Sequence, residues 1–205
     1  MKHYFKYKSL KGDSFKYFVK MLVESKMYAA KFSELNDPME GAYLSDEEVK
    51  GYFNIKEDQR IISLIKKNGQ EMPCNMLMWS HYSDEHKGCC IEFHFVNKED
   101  EEETLPIEYV EKIKAEGVNS IQKILRRKFI DWKYEQEVRY IGSEKLVSIE
   151  IDRIYLGMRI DNMYGNDTSE EVFLRELINR INPKIDVVKM CAEDFDGHHL
   201  DTLKD

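Results

Sequence analysis

The run from Met78 to Phe95, M-W-S-H-Y-S-D-E-H-K-G-C-C-I-E-F-H-F, constrains this chain more than any other stretch. Its second half alternates. Ile91, Phe93 and Phe95 fall on one face at period two, with Cys90, Glu92 and His94 on the other, which predicts a strand. Its first half is polar and aromatic and ends at the turn signal Lys87-Gly88. A buried strand leaving a loop dense in Ser, His, Asp and Glu holds polar side chains on a rigid support, as a reactive or binding site requires.

A strand of this kind needs a core around it, and the composition supplies one. The 205 residues are 42% hydrophobic and include twelve Tyr, ten Phe and two Trp, so the chain reads as a single domain over 1–205 rather than as a disordered segment. The formal charge of -8, from 39 acidic and 31 basic residues, argues against binding along a nucleic-acid backbone. Arg126-Arg127-Lys128 is one candidate for a local basic patch that would stand against it. Four cysteines at 74, 89, 90 and 191 are too sparse for a disulfide scaffold. No apolar run has the length of a membrane span, and the opening M-K-H-Y-F-K-Y-K lacks the apolar stretch of a signal peptide. A cytoplasmic location, with thiols reduced, is the expectation.

Along the chain, Tyr4 to Tyr7 predicts a first strand. Gly12-Asp13-Ser14 opens a helix with Phe15, Phe18, Val19, Leu22 and Val23 on one stripe. Asn36-Asp37-Pro38 specifies a tight, side-chain-braced loop, either a turn that sets chain direction or a rigid mount for a ligand-orienting Asn36 or Asp37. Ser45 and Glu48 have capping-box spacing, and Ile61, Ile62, Leu64 and Ile65 suggest a further helix. Met76 to Trp79 is a short buried segment delivering the Ser80 loop, and residues 99–103, E-D-E-E-E, read as a solvated loop. Pro106 to Val110 suggests a strand, and Asn119 to Phe129 a helix ending in its basic cluster. In W-K-Y-E-Q-E-V-R-Y, a strand from Trp132 to Tyr140 would line Glu135, Glu137 and Arg139 on one face, either as a cleft network or as a wet edge. Strands at 146–151, 153–157 and 185–190 and a helix at 171–181 complete the reading. With no Gly-rich phosphate loop and no regular helical crossovers, the class is α+β, a mixed or antiparallel sheet of short strands with several flanking helices.

Several chemistries compete for these residues. His81, His86 and Cys89 are zinc-ligand types, but their spacing matches no cluster signature, so no metal is assigned. Cys89 or Cys90 with a nearby histidine would suit a nucleophile, although a cysteine opening a buried strand is more commonly a small core side chain. Ser80 beside His81 lacks a nucleophile elbow. The favoured arrangement is a metal-free cleft. Trp79 and Tyr82 would stack on a substrate, Ser80 and His81 would hydrogen-bond it, and Glu135 or Glu137 would stabilise a developing cation. A basic group near the first strand would hold phosphates.

Four ordered blocks, F-K-Y-K-S-L, F-S-E-L-N-D-P-M-E, L-M-W-S-H-Y-S-D-E-H-K-G-C-C-I-E-F and W-K-Y-E-Q-E-V-R-Y, resemble the bacterial family catalogued as domain of unknown function number 2971, over roughly residues 4 to 160. The resemblance implies a cytosolic protein from the neighbourhood of mobile-element or phage-defence genes. It marks Asn36, Asp37, Ser80, His81, His86, Glu135, Glu137 and Arg139 as the shared polar positions. Lys8 stands where such proteins commonly have arginine, keeping the charge without the planar fork. The layout of an early basic residue, a Ser-His-Tyr and a late E-x-E is also similar to the ADP-ribosyltransferase superfamily. That likeness implies a nucleotide-like partner such as NAD, with Lys8 and Ser80 contacting it and Glu137 as the catalytic glutamate. Three readings follow: an enzyme in which the Ser80 and Glu137 blocks converge, a non-catalytic interaction or regulatory module, and a set of buried polar fold determinants.

Overall fold

The structure is a computed structural model that describes residues 1–35, 58–67, 73–111, 121–161 and 169–195. In chain order its elements are β1 (Tyr4–Lys8), α1 (Asp13–Glu24), β2 (Lys26–Tyr28), β3 (Ala30–Lys31), β4 (Arg60–Lys66), α2 (Met76–Tyr82), β5 (Cys89–Phe95) and α3 (Lys98–Glu102). There follow β6 (Thr104–Pro106), β7 (Glu108–Val110), α4 (Ile121–Leu125), β8 (Arg127–Phe129), β9 (Glu137–Gly142), β10 (Leu146–Leu156), α5 (Ser169–Ile181) and β11 (Asp186–Lys189). Short 3-10 turns occupy Phe32–Glu34, Ile130–Glu135 and Ala192–Phe195. The class is α+β, and most strand pairs run antiparallel. None of the described helices is long and apolar enough to cross a membrane.

Contacts divide the chain into two compact units built from discontinuous segments. The first holds Met1–Lys26, Lys67–His94 and the chain from Ile149 onward; the second holds Met27–Lys66 and Phe95–Ser148. In the first unit the strand order is β11-β10-β5-β1. β1 pairs antiparallel with β5 from Tyr4↔Phe93 to Lys8↔Cys89, and β11 pairs parallel with β10. Every residue of β5 is buried, so its alternation separates two covered faces rather than a dry face from a wet one. α1 buries Phe18, Met21 and Leu22 at helical spacing. It lies against α5, where Phe15 meets Phe173, while Leu174 and Ile178 form the buried stripe of α5.

In the second unit β4, β9 and β6 lie side by side, with β3 on the other edge of β4. Ile61, Leu125 and Ile141 form a core cluster, with Phe32 and Leu35 packed on it. β7 and β8 make a separate parallel pair.

Several segments differ from their sequence expectation. Ile61, Ile62, Leu64 and Ile65 lie in strand β4, not a helix. Apolar residues at i, i+1, i+3 and i+4 suit a helical stripe or a strand buried on both faces, and pairing with β9 decides for the strand. Met76 to Trp79 opens a helix, because the Asn75 side chain accepts the Met78 N–H at 3.2 Å and caps it. The expected helix to Phe129 stops at Leu125, and Arg127, Lys128 and Phe129 form β8. The acidic run is mostly the short helix α3, and its Asp100 is buried, accepting from Asn97 at 3.0 Å. Residues 146–156 form one strand, and the piece at 106–110 divides into β6 and β7 around Ile107. Asn36, Asp37 and the capping box at Ser45 lie outside the described residues.

Candidate active site at the Ser80 to His86 turn

Helix α2 turns its apolar side inward around Trp79, which is wholly buried. The indole N–H donates to the Pro73 carbonyl at 2.6 Å, the Tyr7 hydroxyl donates to the same oxygen at 3.1 Å, and the two rings meet edge to face. Trp79 therefore offers no stacking surface to a ligand, contrary to the sequence expectation; it seats the helix. Tyr82 is half-buried, and Ser80 and His81 are exposed on the outer face. The helix ends at Ser83, whose buried hydroxyl donates to the Cys89 carbonyl at 3.0 Å.

The next three residues are the most unusual backbone among those described. Asp84, Glu85 and His86 take φ of 48°, 54° and 68°, a left-handed turn with no glycine in it. Each such residue costs on the order of 1 kcal/mol or more, so the surroundings must hold the turn in place. They do so with hydrogen bonds. Glu85 N–H donates to the Ser80 carbonyl, His86 N–H to that of Trp79, and Gly88 N–H to that of Ser83. Gly157 N–H and Arg159 N–H donate in turn to the carbonyls of Gly88 and His86, each at 2.9 Å. A Cβ on Gly88 would lie 2.3 Å from the Lys8 carbonyl oxygen, and one on Gly157 2.1 Å from that of His86. Only glycine fits at either contact.

The turn places His86 in a specific setting. Its ring lies parallel to the Trp79 indole at 6.0 Å and edge-on to Phe195 at 5.8 Å. Nε2 is 3.3 Å from the exposed Ser80 hydroxyl. Nδ1 is buried and has no hydrogen-bond partner among the described residues, and the buried Nε of Arg159 shares that condition. Burial, helped by the Arg159 guanidinium, lowers the His86 pKa from its usual 6.5 and keeps the imidazole neutral near pH 7. In the tautomer in which the Ser80 hydroxyl donates to Nε2, Nδ1 carries the hydrogen. Two buried N–H donors, His86 Nδ1 and Arg159 Nε, then lack an acceptor. Arg159 is otherwise only loosely held, 3.4 Å from the Glu85 carbonyl and 3.8 Å from its carboxylate. A cleft of about 380 Å³ opens beside Met158, between Gly157 and Arg159 in the chain, and is lined further by Lys189, Met190, Cys191 and Ala192.

The late acidic residues form their own constellation within the second unit. Glu135 ends a 3-10 turn rather than lying in a strand, because Gln136 takes φ of 47° and breaks the extended run; β9 begins at Glu137. The two carboxylates still share one side, since Lys128 Nζ reaches Glu135 at 2.5 Å and Glu137 at 3.0 Å. Arg139 holds the other Glu137 oxygen at 2.7 Å and donates to the Leu125 carbonyl at 2.6 Å. All four side chains are buried, so this is no wet edge. Burial alone would raise the Glu137 pKa, but Arg139 and Lys128 outweigh it and bring it down to about 2.

Other candidates fall out by position. Lys8 is half-buried, and burial lowers its pKa. It points to the face of β1 opposite Tyr7, away from the side that packs on Trp79. Cys89 and Cys90 are fully buried; burial raises the Cys89 thiol to about 12 and Cys90 well above its usual value, so neither is a thiolate nucleophile near neutral pH. Sequence reasoning named Ser80 and His86 but paired Ser80 with His81. It missed Arg159, Gly157 and Phe195, which carry no motif and meet the turn only through folding. Compared with family models, with curated proteins and with solved structures, the chain matches none.

Proposed function

We propose that this chain is an enzyme that hydrolyses or transfers an ester group through Ser80, with His86 as its base. The observation that carries this reading is a buried, neutral imidazole with one nitrogen on an exposed serine hydroxyl and the other lacking an acceptor, locked on a strained turn. In the reaction Nε2 takes the hydroxyl proton as Oγ bonds the electrophilic centre, and returns it to the departing oxygen. Water then attacks the covalent intermediate by the same route and frees Ser80. The Arg159 guanidinium beside the pair favours a substrate carrying an anionic group, such as a nucleotide-like ester, whose oxygens would accept from its buried Nε.

A fluorophosphonate probe tests this, because it modifies only activated serines. The expected result is a single adduct on Ser80 that is absent in Ser80→Ala and His86→Asn; asparagine tolerates the left-handed backbone. Absence of labelling on the folded wild type, or labelling that Ser80→Ala leaves unchanged, overturns the reading.

A second reading, ribosyl transfer from NAD through Glu137, draws support from the full ionisation of that carboxylate near neutral pH. It requires release of one of two oxygens now held by Lys128 and Arg139. Turnover of labelled NAD that Glu137→Gln abolishes would favour it over the serine reaction.

A further inference from the structure

Away from the Ser80 turn, the polar face of β5 carries a second group of chemically capable residues. Glu92 and His94 lie on the face that also holds Phe5, since Phe5 is the register partner of Glu92. His3, just ahead of β1, reaches the same place. β10 contributes Asp152 there, and also Tyr155, whose hydroxyl donates to Glu92 at 2.9 Å.

The geometry centres on Asp152. Its Oδ2 lies 3.0 Å from His3 Nδ1 and 3.1 Å from His94 Nδ1, and the three ligand-type atoms fall within 4.8 Å of one another. Four-coordinate zinc with bonds of about 2.1 Å sets its ligands roughly 3.4 Å apart, so the two contacts between imidazole and carboxylate need open by only a few tenths of an ångström. The far nitrogen of His94 is 3.4 Å from a Glu150 oxygen. This is an ion-pair distance and not a formed hydrogen bond; a small rotation of the exposed Glu150 side chain would let it accept the outer N–H and leave the other nitrogen as a lone pair for a metal.

Charge points the same way. Glu92 is neutralised by Lys67 at 2.5 Å. Asp152 and Glu150 have histidines but no lysine or arginine ion pair among the described residues. Among the described residues these two carboxylates meet imidazoles and no permanent cation, so a dication would bring charge of the sign the group lacks. His94 is 9% exposed, Asp152 28% and His3 37%, so the group has a buried floor and an open mouth, with room for water or a substrate atom on the ion. Two histidines and one carboxylate suit zinc and neighbouring transition metals rather than magnesium or calcium.

We propose that His3, His94 and Asp152 bind a divalent transition-metal ion, zinc fitting best, with Glu150 orienting His94 from behind. The site is independent of the Ser80 reaction.

The test is titration of the chelator-treated full chain with Zn²⁺ by calorimetry and with Co²⁺ by visible absorption. One equivalent should bind, with ligand-field bands showing nitrogen and oxygen donors. His3→Ala, on a half-exposed side chain, and Asp152→Asn should each abolish binding, and Glu150→Gln should weaken it by roughly 10- to 100-fold. His81→Ala should leave it unchanged, and excess Mg²⁺ should not compete. The proposal is overturned by a wild-type chain that binds neither ion, or by binding that persists in both His3→Ala and Asp152→Asn.

Discussion

Replacing Glu137 by Gln keeps the shape of the side chain and deletes one charge from a buried set of two cations and two anions. Lys128 would keep Glu135, and Arg139 would keep the Leu125 carbonyl, but a net positive charge would remain under β9 with no water to screen it. Two routes give the size of the effect. Removing one member of a buried ion pair costs about 3–5 kcal/mol. The fall of the Glu137 pKa from 4.5 to about 2 corresponds to roughly 3 kcal/mol of preference for the charged form in the folded chain. A loss of 3–4 kcal/mol lowers the melting temperature of a chain this size by roughly 10 °C, measurable by circular dichroism at pH 7. The acid dependence supplies a sign. The folded pKa is depressed, so the contribution is complete above about pH 4.5 and is lost as the pH falls through about 2. Wild type and Glu137→Gln should therefore converge in acid. A variant melting within about 1 °C of wild type at pH 7, or a gap that stays constant down to pH 2, would refute the argument that this network supports the fold.

Two further outcomes are expected. Gly157→Ala sets a methyl group against the His86 carbonyl at a contact where both partners are backbone; it should destabilise the chain by about 1–3 kcal/mol in urea denaturation and slow fluorophosphonate labelling of Ser80. His86 is held neutral with a lowered pKa, so its contribution to stability is complete above about pH 6.5 and is lost as the pH drops from there through the folded value. Urea midpoints measured from pH 8 to pH 5 should fall in wild type, and the part of that slope due to His86 should vanish in His86→Asn.

The legible parts of this sequence were those where burial alone dictates the pattern. The alternation of Ile91, Phe93 and Phe95 could belong only to a strand, and the stripe of α1 only to a helix, although Met21 is buried there where Val23, expected on the stripe, is exposed. β4 was misread because its apolar spacing satisfies two periods and its partner β9 lies far along the chain. The common side of Glu135 and Glu137 was legible although the backbone that achieves it was not. A 3-10 turn and a left-handed Gln136 replace the first part of the expected strand, which begins only at Glu137, and Lys128, read as the basic end of a helix, gathers both carboxylates from β8. The pairing of Ser80 with His86 was hidden for a similar reason. Three successive left-handed residues without glycine have no local signal, being held by Gly157 and Arg159 from the chain just beyond β10. The grouping of His3, His94 and Asp152 likewise depends on strand neighbours that no short motif records.

The discontinuous layout of the first unit also sets an order of events on the ribosome. By the time Ser148 has left the exit tunnel, every segment of the second unit has been made, whereas the first still waits for its later strands. Asp152, Gly157 and Arg159 belong to that later portion, so the histidine grouping and the brace on the left-handed turn are completed only after the second unit has been made. A nascent chain thus carries Ser80 through the next 79 residues before Arg159, which donates to the His86 carbonyl, has been made.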